Sequence, residues 1–262
     1  MTTNPTNPYA APKAAVADET LVINADYIPG GQSQPAGHGW SWISASWDLF
    51  KRQPGMWIGM WLLFVIIMIG AGILPFLGTI LTALFWPVFV AGFAVGCRAL
   101  DEGGELEIAH LFAGFRERLG PLVGVGALSL LASLIIGMVV GLGLGAGAFT
   151  MMRGDPETMA ALAGTTLLLL VLITMALLLP VMMAAWFAPV LVVFQGEGVI
   201  DSMKGSFAGC LKNIVPFLVY GVAFLLLAIV ATIPLALGWL VLGPMISASV
   251  YTSYRDIYLK PR

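Results

Sequence analysis

The sequence predicts an all-α fold: a polytopic membrane bundle of six transmembrane helices in three hairpins, each preceded by a cytoplasmic amphipathic helix. The composition favours this fold, because 59% of the 262 residues are hydrophobic and only 10% are charged. A soluble core of this size does not bury so much apolar surface. The mean hydropathy of +0.94 agrees with this. The apolar residues also gather into runs long enough to span a membrane, each entered from a more polar stretch.

The polar start of the chain, residues 1–39, is predicted to be a disordered cytoplasmic tail. Five prolines interrupt it, and glycines follow near its end. Such a composition buries too little apolar surface to offset the entropy lost on ordering. It contains no apolar core of signal-peptide length, so we expect insertion to depend on the first span.

The first unit, about residues 40–100, begins with an amphipathic helix that ends before Pro54. One face carries four apolar residues at helical spacing: Trp40, Ile43, Trp47 and Phe50. The apolar run 56–74 would form a helix of about 28 Å, which matches the hydrocarbon core of a bilayer. A turn at Pro75 then leads into a return span over 77–97.

The second unit, about residues 101–195, repeats this order. An amphipathic segment over 106–119 leads at Pro121 into a span that extends toward Phe149. The span carries glycines at four-residue steps: Gly137, Gly141 and Gly145. Such spacing lets a neighbouring helix approach closely. We expect tight packing inside the chain there, with a dimer interface as the alternative.

The next apolar run, residues 160–194, is too long for one span. We expect Pro180 or Pro189 to kink it or to end the part inside lipid.

The third unit, about residues 196–258, opens with the clearest amphipathic segment. Its apolar residues fall along one stripe: Val199, Ile200, Met203, Phe207, Cys210, Leu211 and Ile214. Such a helix is expected to lie along the membrane surface or to pack under the spans that follow it. The spans are predicted over 214–233 and about 237–254, with a turn at Pro234, and residues 259–262 form the C-terminal end.

Internal similarity supports three units within a membrane domain of residues 40–258. Phe-Ala-Gly at 112–114 recurs at 207–209, and further identities keep the same offset of 95 residues: Glu102, Gly103, Pro121 and Gly126 match Glu197, Gly198, Pro216 and Gly221. The first and third units share another spacing: Pro87 precedes Arg98 as Pro244 precedes Arg255.

The basic residues predict the orientation. In a six-span arrangement, 11 of the 12 Lys and Arg residues lie on one side, and Arg153 lies on the other. Basic residues near span ends are retained in the cytoplasm. We therefore expect both termini and all three amphipathic helices to be cytoplasmic.

The sequence offers little catalytic chemistry. The six predicted membrane cores contain no Asp, Glu, Lys, Arg or His, the residues that usually mark an intramembrane functional site. His38 and His110 have no partner at ligand spacing, and Cys97 and Cys210 flank predicted cytoplasmic loops, where thiols stay reduced. No phosphate-binding glycine loop or GxSxG motif is present. We predict no catalytic residue, no cofactor and no metal site.

The remaining candidates are charged residues on the predicted cytoplasmic face. They are interpreted as ion pairs and lipid-headgroup contacts, or as contacts with a partner: Arg98, Glu102, Arg116, Glu197, Lys204, Lys212 and Arg255, with Asp101, Glu105, Asp201 and Asp256 nearby.

Five phrases carry a resemblance to a known family. They are CRALDEG at 97–103, LFAGFR at 111–116, WFAP at 186–189, SFAGCLKNIVPFLVYG at 206–221 and YTSYRDIY at 251–258. Between about Gly39 and Tyr258 the chain resembles an uncharacterised family of bacterial six-span inner-membrane proteins. The resemblance implies a helical domain in a Gram-negative inner membrane. It implies no established activity, so no catalytic residue carries over.

Two functions follow from these observations. The first is a non-enzymatic inner-membrane protein that interacts with lipids or proteins through its cytoplasmic amphipathic helices. The alternative is a permease for a neutral or apolar small solute, which would need a polar or hydroxyl-lined cavity between the hairpins. The expected partners are membrane lipids, with other membrane proteins or a second copy of the chain as further candidates. With 12 basic and 14 acidic residues, the chain offers no field for nucleic acid.

Overall fold

A computed structural model describes residues 26–151 and 156–260, and this part of the chain is helical. An isolated antiparallel bridge joins Tyr27 to Leu259. A 3-10 helix covers Ile108–Phe112. The α-helices are α1 (His38–Arg52), α2 (Pro54–Gly72), α3 (Leu77–Asp101), α4 (Ala113–Glu117), α5 (Leu119–Met151), α6 (Pro156–Trp186), α7 (Ala188–Gln195), α8 (Val199–Lys212), α9 (Ile214–Thr232) and α10 (Trp239–Tyr258).

One non-helical residue separates each amphipathic helix from the span that follows. These residues are Gln53, Arg118 and Asn213, with φ of −145°, −143° and −121°. A proline lies in the first turn of each following helix, at Pro54, Pro121 and Pro216. Proline is tolerated there because the first-turn N–H groups have no intrahelical partner. The same local device therefore turns the chain three times.

Two of the hairpin turns also share a strained backbone. Phe76 follows Pro75 with φ of 58°, and Leu235 and Ala236 follow Pro234 with φ of 52° and 63°. Positive φ is unfavourable for such side chains. It is accompanied by close backbone contacts: a Cβ placed on Gly238 would lie 2.5 Å from the Ala231 Cα, and Gly78 abuts Ala71 in the same way.

The long apolar run of the second unit breaks near its end. Helix α6 passes through Pro180 without ending, and the break falls at Phe187, with Pro189 in the first turn of α7. Of the two prolines predicted to interrupt the run, Pro189 is thus the one beside the break. Every residue of α7 is buried.

By length and composition, five helices in the described part of the chain can cross a membrane. They are Pro54–Gly72, Leu77–Asp101, Leu119–Gly145, Leu167–Gln195 and Ile214–Thr232. The predicted sixth span corresponds to α10, which is outside this set. Its final turn carries Arg255 and Asp256, and its second half is buried within the protein.

One expectation from the sequence was that an amphipathic helix packs under the spans that follow it. The structure shows a different main packing for these helices. Helix α1 packs against α9 and α10, the 3-10 helix and α4 pack against α3, and α8 packs against α6 and α7. Each helix thus lies on the hairpin of the preceding unit, and the order closes on itself because α1 lies on the last hairpin. We call α1, the 3-10 helix with α4, and α8 the rim.

The buried faces of the rim match the predicted apolar faces only in part. In α1, Ile43 and Phe50 are buried as predicted, but Trp40 and Trp47 are exposed and Trp42 is buried instead. In α8, the buried residues are Ser202, Ser206, Gly209 and Cys210, whereas Ile200 and Leu211 are exposed. Small residues face inward because backbones approach closely there: Gly39 of α1 abuts the Pro216 carbonyl group.

The glycine stripe of α5 has no close neighbour among the described atoms. Among the atoms that the structure describes, a Cβ at Gly137, Gly141 or Gly145 would meet nothing within 4 Å, so the described part of the chain shows no tight packing at these positions. Close packing of α5 occurs nearer its start, where a Cβ at Gly126 would lie 2.6 Å from the Ala83 carbonyl oxygen of α3.

Part of the predicted disordered tail is ordered. Residues 26–37, which we call the strap, run across the end of α10. Ile28 and Gln32 donate backbone hydrogen bonds to the Tyr258 and Ile257 carbonyls over 2.8 and 2.9 Å. The Gln32 side chain donates to the Asp256 carbonyl over 3.1 Å. The correction applies to residues 26–39; residues 1–25, like the Arg153 loop, lie outside the described residues.

Candidate functional site

A cavity of about 700 Å³ opens where α1 begins and where α3 and α10 end, with the strap along one side. Its volume is in the range of small-molecule sites. The lining combines charged, polar and aromatic side chains: Asp26, Gln32, Gln34, His38, Ser41, Trp42, Ala45, Arg98, Asp101, Glu102, Phe194, Tyr251, Thr252, Tyr254, Arg255, Asp256, Leu259 and Lys260. The structure therefore brings three of the predicted site residues together, Arg98, Glu102 and Arg255.

Arg98 lies in the last turn of α3. Its Nε donates to Glu102 Oε1 over 2.8 Å, and its guanidinium carbon lies 5.3 Å from the centre of the Phe194 ring. A cation over an aromatic face is attracted to the ring and held in orientation. Both side chains of the pair are largely exposed, so the pair contributes little stability and leaves the guanidinium accessible.

Arg255 belongs to the last turn of α10 and links that helix to α3. One terminal guanidinium nitrogen contacts both carboxylate oxygens of Asp101 at 2.6 and 2.7 Å. Tyr251 donates to the same carboxylate over 3.1 Å. Three side chains from two helix ends thus fix one wall of the cavity.

Asp256 forms the opposite anchor, between α10 and α1. Its Oδ2 lies 2.8 Å from His38 Nδ1 and accepts a hydrogen bond from the Trp42 indole over 2.7 Å. The Gln34 side chain also donates to the Asp256 backbone carbonyl over 2.5 Å. The Asp256 carboxylate therefore holds the start of α1, and the Asp256 backbone carbonyl holds the strap.

Glu197 lies outside the cavity, in the loop between α7 and α8. It accepts a hydrogen bond from the Tyr27 hydroxyl over 2.5 Å, while its other oxygen is buried without a partner among the described residues. Burial raises the pKa of the Glu197 carboxyl; the Tyr27 hydrogen bond opposes this, and the charge of Asp201 adds to it. Burial also raises the pKa of Tyr27, which therefore stays a donor.

The three residues at the helix breaks bind equivalent segments. Gln53 accepts from the Leu106 N–H over 2.6 Å, just before the 3-10 helix. Arg118 donates to the Gly196 carbonyl over 3.2 Å, just before α8. Asn213 binds the strap, just before α1. Each break thus holds the segment that leads into the next rim helix, and Asn213 closes the ring.

The other predicted site residues lie apart from the cavity. Lys212 donates to the Gly30 and Gly31 carbonyls over 3.0 and 2.7 Å and so binds the strap. Arg116 and Lys204 are exposed, and no described residue forms an ion pair or hydrogen bond with their side chains. These seven residues therefore do not form one site.

Sequence reasoning missed the contribution of the strap and of α1 to the cavity. Gln32, Gln34 and His38 all fall in the stretch predicted to be a disordered tail, and Trp42 lies off the predicted apolar face of the first amphipathic helix. The Gly30–Gly31 pair was the available signal, because both residues have positive φ, of 71° and 67°, where a sharp turn is needed.

Within the described ranges, no three His, Cys, Asp or Glu residues are grouped so that they could hold a metal ion. Cys97 and Cys210 are both free and buried. Burial raises the pKa of the Cys210 thiol to about 12, so the thiol stays protonated and unreactive near neutral pH.

Comparison with known proteins adds one relative. A "probable inner membrane protein" of Burkholderia thailandensis is 28% identical over 245 residues, which cover 84% of this chain and 90% of that protein. The chain matches no protein-family model and no solved structure. The resemblance to uncharacterised bacterial membrane proteins is thereby confirmed, and it extends across nearly the whole length of both chains.

Proposed function

We propose that this chain is a non-enzymatic, multi-pass protein of the bacterial inner membrane that binds lipids or partner proteins through its rim. The observation that carries the proposal is the orientation of the rim helices. Besides the apolar residues that they bury, the rim helices leave five large apolar residues exposed: Trp40, Trp47, Ile108, Ile200 and Leu211. Exposed apolar side chains beside basic residues are typical of helices that contact the headgroup region.

The proposed topology has six spans, with α10 as the sixth and with both termini cytoplasmic. Helix α10 has 20 residues, and the 16 before Arg255 carry no charge. These 16 residues would extend about 24 Å, which a locally thinned bilayer accommodates. The basic residues described at the helix ends support the orientation. The printed name of the Burkholderia relative supports the inner-membrane location.

The alternative, a permease, is less well supported. Several hydroxyls inside the spans bond back to their own helix, as Thr82 to Gly78, Ser133 to Ser129, Thr174 to Leu170 and Thr232 to Ala228. Hydroxyls bound in this way offer little to a passing solute. The polar cavity is lined by helix ends and by the strap, not by the middle of the spans.

Native mass spectrometry of the detergent-extracted full chain tests the proposal. We expect lipid or a protein partner to remain bound to the protein. The rim variant Trp47→Ser should reduce retention. Its matched control is Phe76→Ser, outside the rim at a hairpin turn and with 88% of its surface exposed, which should not reduce retention. Bare protein, together with an unchanged cell envelope when the gene is deleted, contradicts the proposal. Uptake of a neutral solute into proteoliposomes favours the permease.

A further inference from the structure

We propose that the cavity between α1, α3, α10 and the strap binds a zwitterionic group that carries both a phosphate and a primary ammonium. This inference rests on the proposed function, because it names the ligand class for the same face of the protein. Nothing in the comparisons assigns a ligand to this cavity. The charged residues of the cavity keep hydrogen-bonding capacity after their mutual contacts, and this capacity defines the ligand.

Arg98 supplies capacity for an anion. Only its Nε is engaged, by Glu102, and no described residue binds its two terminal nitrogens. A guanidinium has five N–H donors in a planar fork, so four of them remain. Contact with the Phe194 face holds the plane of this fork. A positioned guanidinium with a free edge suits a phosphate group.

Arg255 adds to this capacity from the neighbouring helix. One terminal nitrogen carries both contacts to Asp101, which leaves Nε and the other terminal nitrogen without a described partner. The Asp101 carboxylate is in turn fixed by Tyr251. Two guanidinium groups with free donors thus line one cavity, each held by a separate carboxylate.

Carboxylates in the same cavity supply capacity for a cation. Asp256 uses Oδ2 for both His38 and Trp42, and no described residue binds its Oδ1. Glu102 uses Oε1 for Arg98, and its Oε2 is likewise without a described partner. Carboxylate oxygens accept hydrogen bonds from a primary ammonium, which has three donors. A quaternary ammonium has none, so it cannot make the same contacts.

The charge balance of the lining excludes simpler ligands. Three cationic side chains, Arg98, Arg255 and Lys260, face four carboxylates, those of Asp26, Asp101, Glu102 and Asp256. A ligand with anionic groups alone would leave the carboxylate oxygens without a donor, and a plain cation would leave the free guanidinium donors unused. A dipolar ligand satisfies both sets at once, and about 700 Å³ accommodates an ethanolamine phosphate group with water.

Two sources offer this chemistry. One is the headgroup of phosphatidylethanolamine in the membrane, and the other is soluble phosphoethanolamine. The experiment uses the full-length protein in nanodiscs of equimolar phosphatidylethanolamine, phosphatidylglycerol and phosphatidylcholine, followed by native mass spectrometry of the released protein. A parallel titration adds phosphoethanolamine to delipidated protein in detergent and measures the heat of binding.

We expect the wild type to retain phosphatidylethanolamine over the other two lipids, or to bind phosphoethanolamine, and the arm that responds identifies the source. Arg98→Gln should weaken this binding by roughly tenfold or more, because it removes a charge-assisted contact. Glu105→Gln, which removes an exposed carboxylate outside the cavity and the rim, should change it less than twofold. Glu102→Gln should also weaken binding. Melting curves identify the variants that fold. Binding is compared only for those of Arg98→Gln and Glu102→Gln that melt like the wild type.

Equal retention of the three lipids without binding of phosphoethanolamine overturns the ligand class but leaves the proposed function intact. Preference for phosphatidylglycerol does the same. If Arg98→Gln and Glu102→Gln bind as well as Glu105→Gln, the ligand lies elsewhere and the assignment of this cavity is overturned. Protein that retains neither lipid nor partner contradicts the proposed function itself.

Discussion

Gln34 donates its backbone N–H to the side-chain oxygen of Asn213 over 2.8 Å, across 179 residues of chain. The same side chain donates to the Gln32 carbonyl and to the Gly209 carbonyl, each over 2.8 Å. Asn213 therefore joins the strap to the corner between α8 and α9. At the equivalent corners, Gln53 and Arg118 hold loops that are covalently continuous with the preceding hairpin. The Asn213 corner instead joins the last unit to the first, which are far apart in the chain.

We predict that Asn213→Ala lowers the free energy of unfolding by about 1–3 kcal/mol. The residue is fully buried, and its loss leaves the Gln34 N–H and two carbonyls without their partner. Thermal unfolding in detergent measures the change.

Lys204→Ala is the control for this prediction, because Lys204 is exposed on α8 and has no described partner. Equal melting temperatures for the two variants would show that the strap does not depend on Asn213.

A second prediction tests the packing of α1 on α9. Gly39→Ala should destabilise the protein by roughly 1–3 kcal/mol, because the added methyl group overlaps the Pro216 carbonyl and no backbone there can give way cheaply. Gly37→Ala, two residues earlier, meets nothing within 4 Å and should be tolerated. If α1 instead lay free on the membrane surface, the two variants would melt alike.

A third prediction concerns the two ends of α5. Gly126→Ala should separate α5 from α3 and lower the melting temperature, since its methyl group would press on the Ala83 and Leu84 backbone. Gly141→Ala should leave the monomer as stable as the wild type. If only Gly141→Ala alters the subunit number in native mass spectrometry, the dimer alternative for the glycine stripe gains support.

The fourth prediction concerns orientation. A cysteine at Arg116 should react with an impermeant maleimide only after the inner membrane is opened, whereas a cysteine at Arg153 should react in intact spheroplasts. The native cysteines are buried and should give little background labelling. Labelling of both positions from the same side contradicts the six-span topology.

The fifth prediction concerns pH. Burial raises the pKa of Glu197 above the value of about 4.5 that it has when unfolded. Between these two values the folded protein binds more protons than the unfolded chain, so its stability falls as the pH rises through this window. Glu197→Gln should remove this part of the pH dependence and still accept the hydrogen bond from Tyr27.

Melting temperatures measured from pH 4 to pH 8 check the prediction. Since Glu197 is only partly buried, the effect will be modest. A wild type and a Glu197→Gln variant with parallel pH profiles would show that Glu197 does not titrate within the fold.

Composition and hydropathy sufficed for the helical membrane fold and for most helix bounds. The first amphipathic helix ends before Pro54 as predicted, and Pro189 lies at the predicted break because a proline N–H is dispensable only in a first turn. Arg98, Glu102 and Arg255 were expected on one face of the protein because all three lie at span ends, and they do line one cavity. The orientation of the rim helices did not follow, because periodicity cannot distinguish a large apolar face that contacts lipid from one that contacts protein.

The strap was missed for a different reason. Its residues are polar and rich in glycine and proline, a composition that by itself favours disorder. What orders them is long-range hydrogen bonding to carbonyl groups at the end of α10 and to the Asn213 side chain. Such partners, 179 or more residues away, leave no local pattern in the sequence.

The packing of α1 on the last hairpin imposes an order on biosynthesis. Thr252 donates to the Trp42 carbonyl across 210 residues. At ordinary rates of translation, the ribosome needs on the order of 10 to 40 s to make that length of chain. The nascent α1 must therefore wait, with Trp42 uncovered, until the final helices are made. If the rim binds lipid as proposed, the bilayer surface would shelter this early segment until the hairpin that covers it emerges.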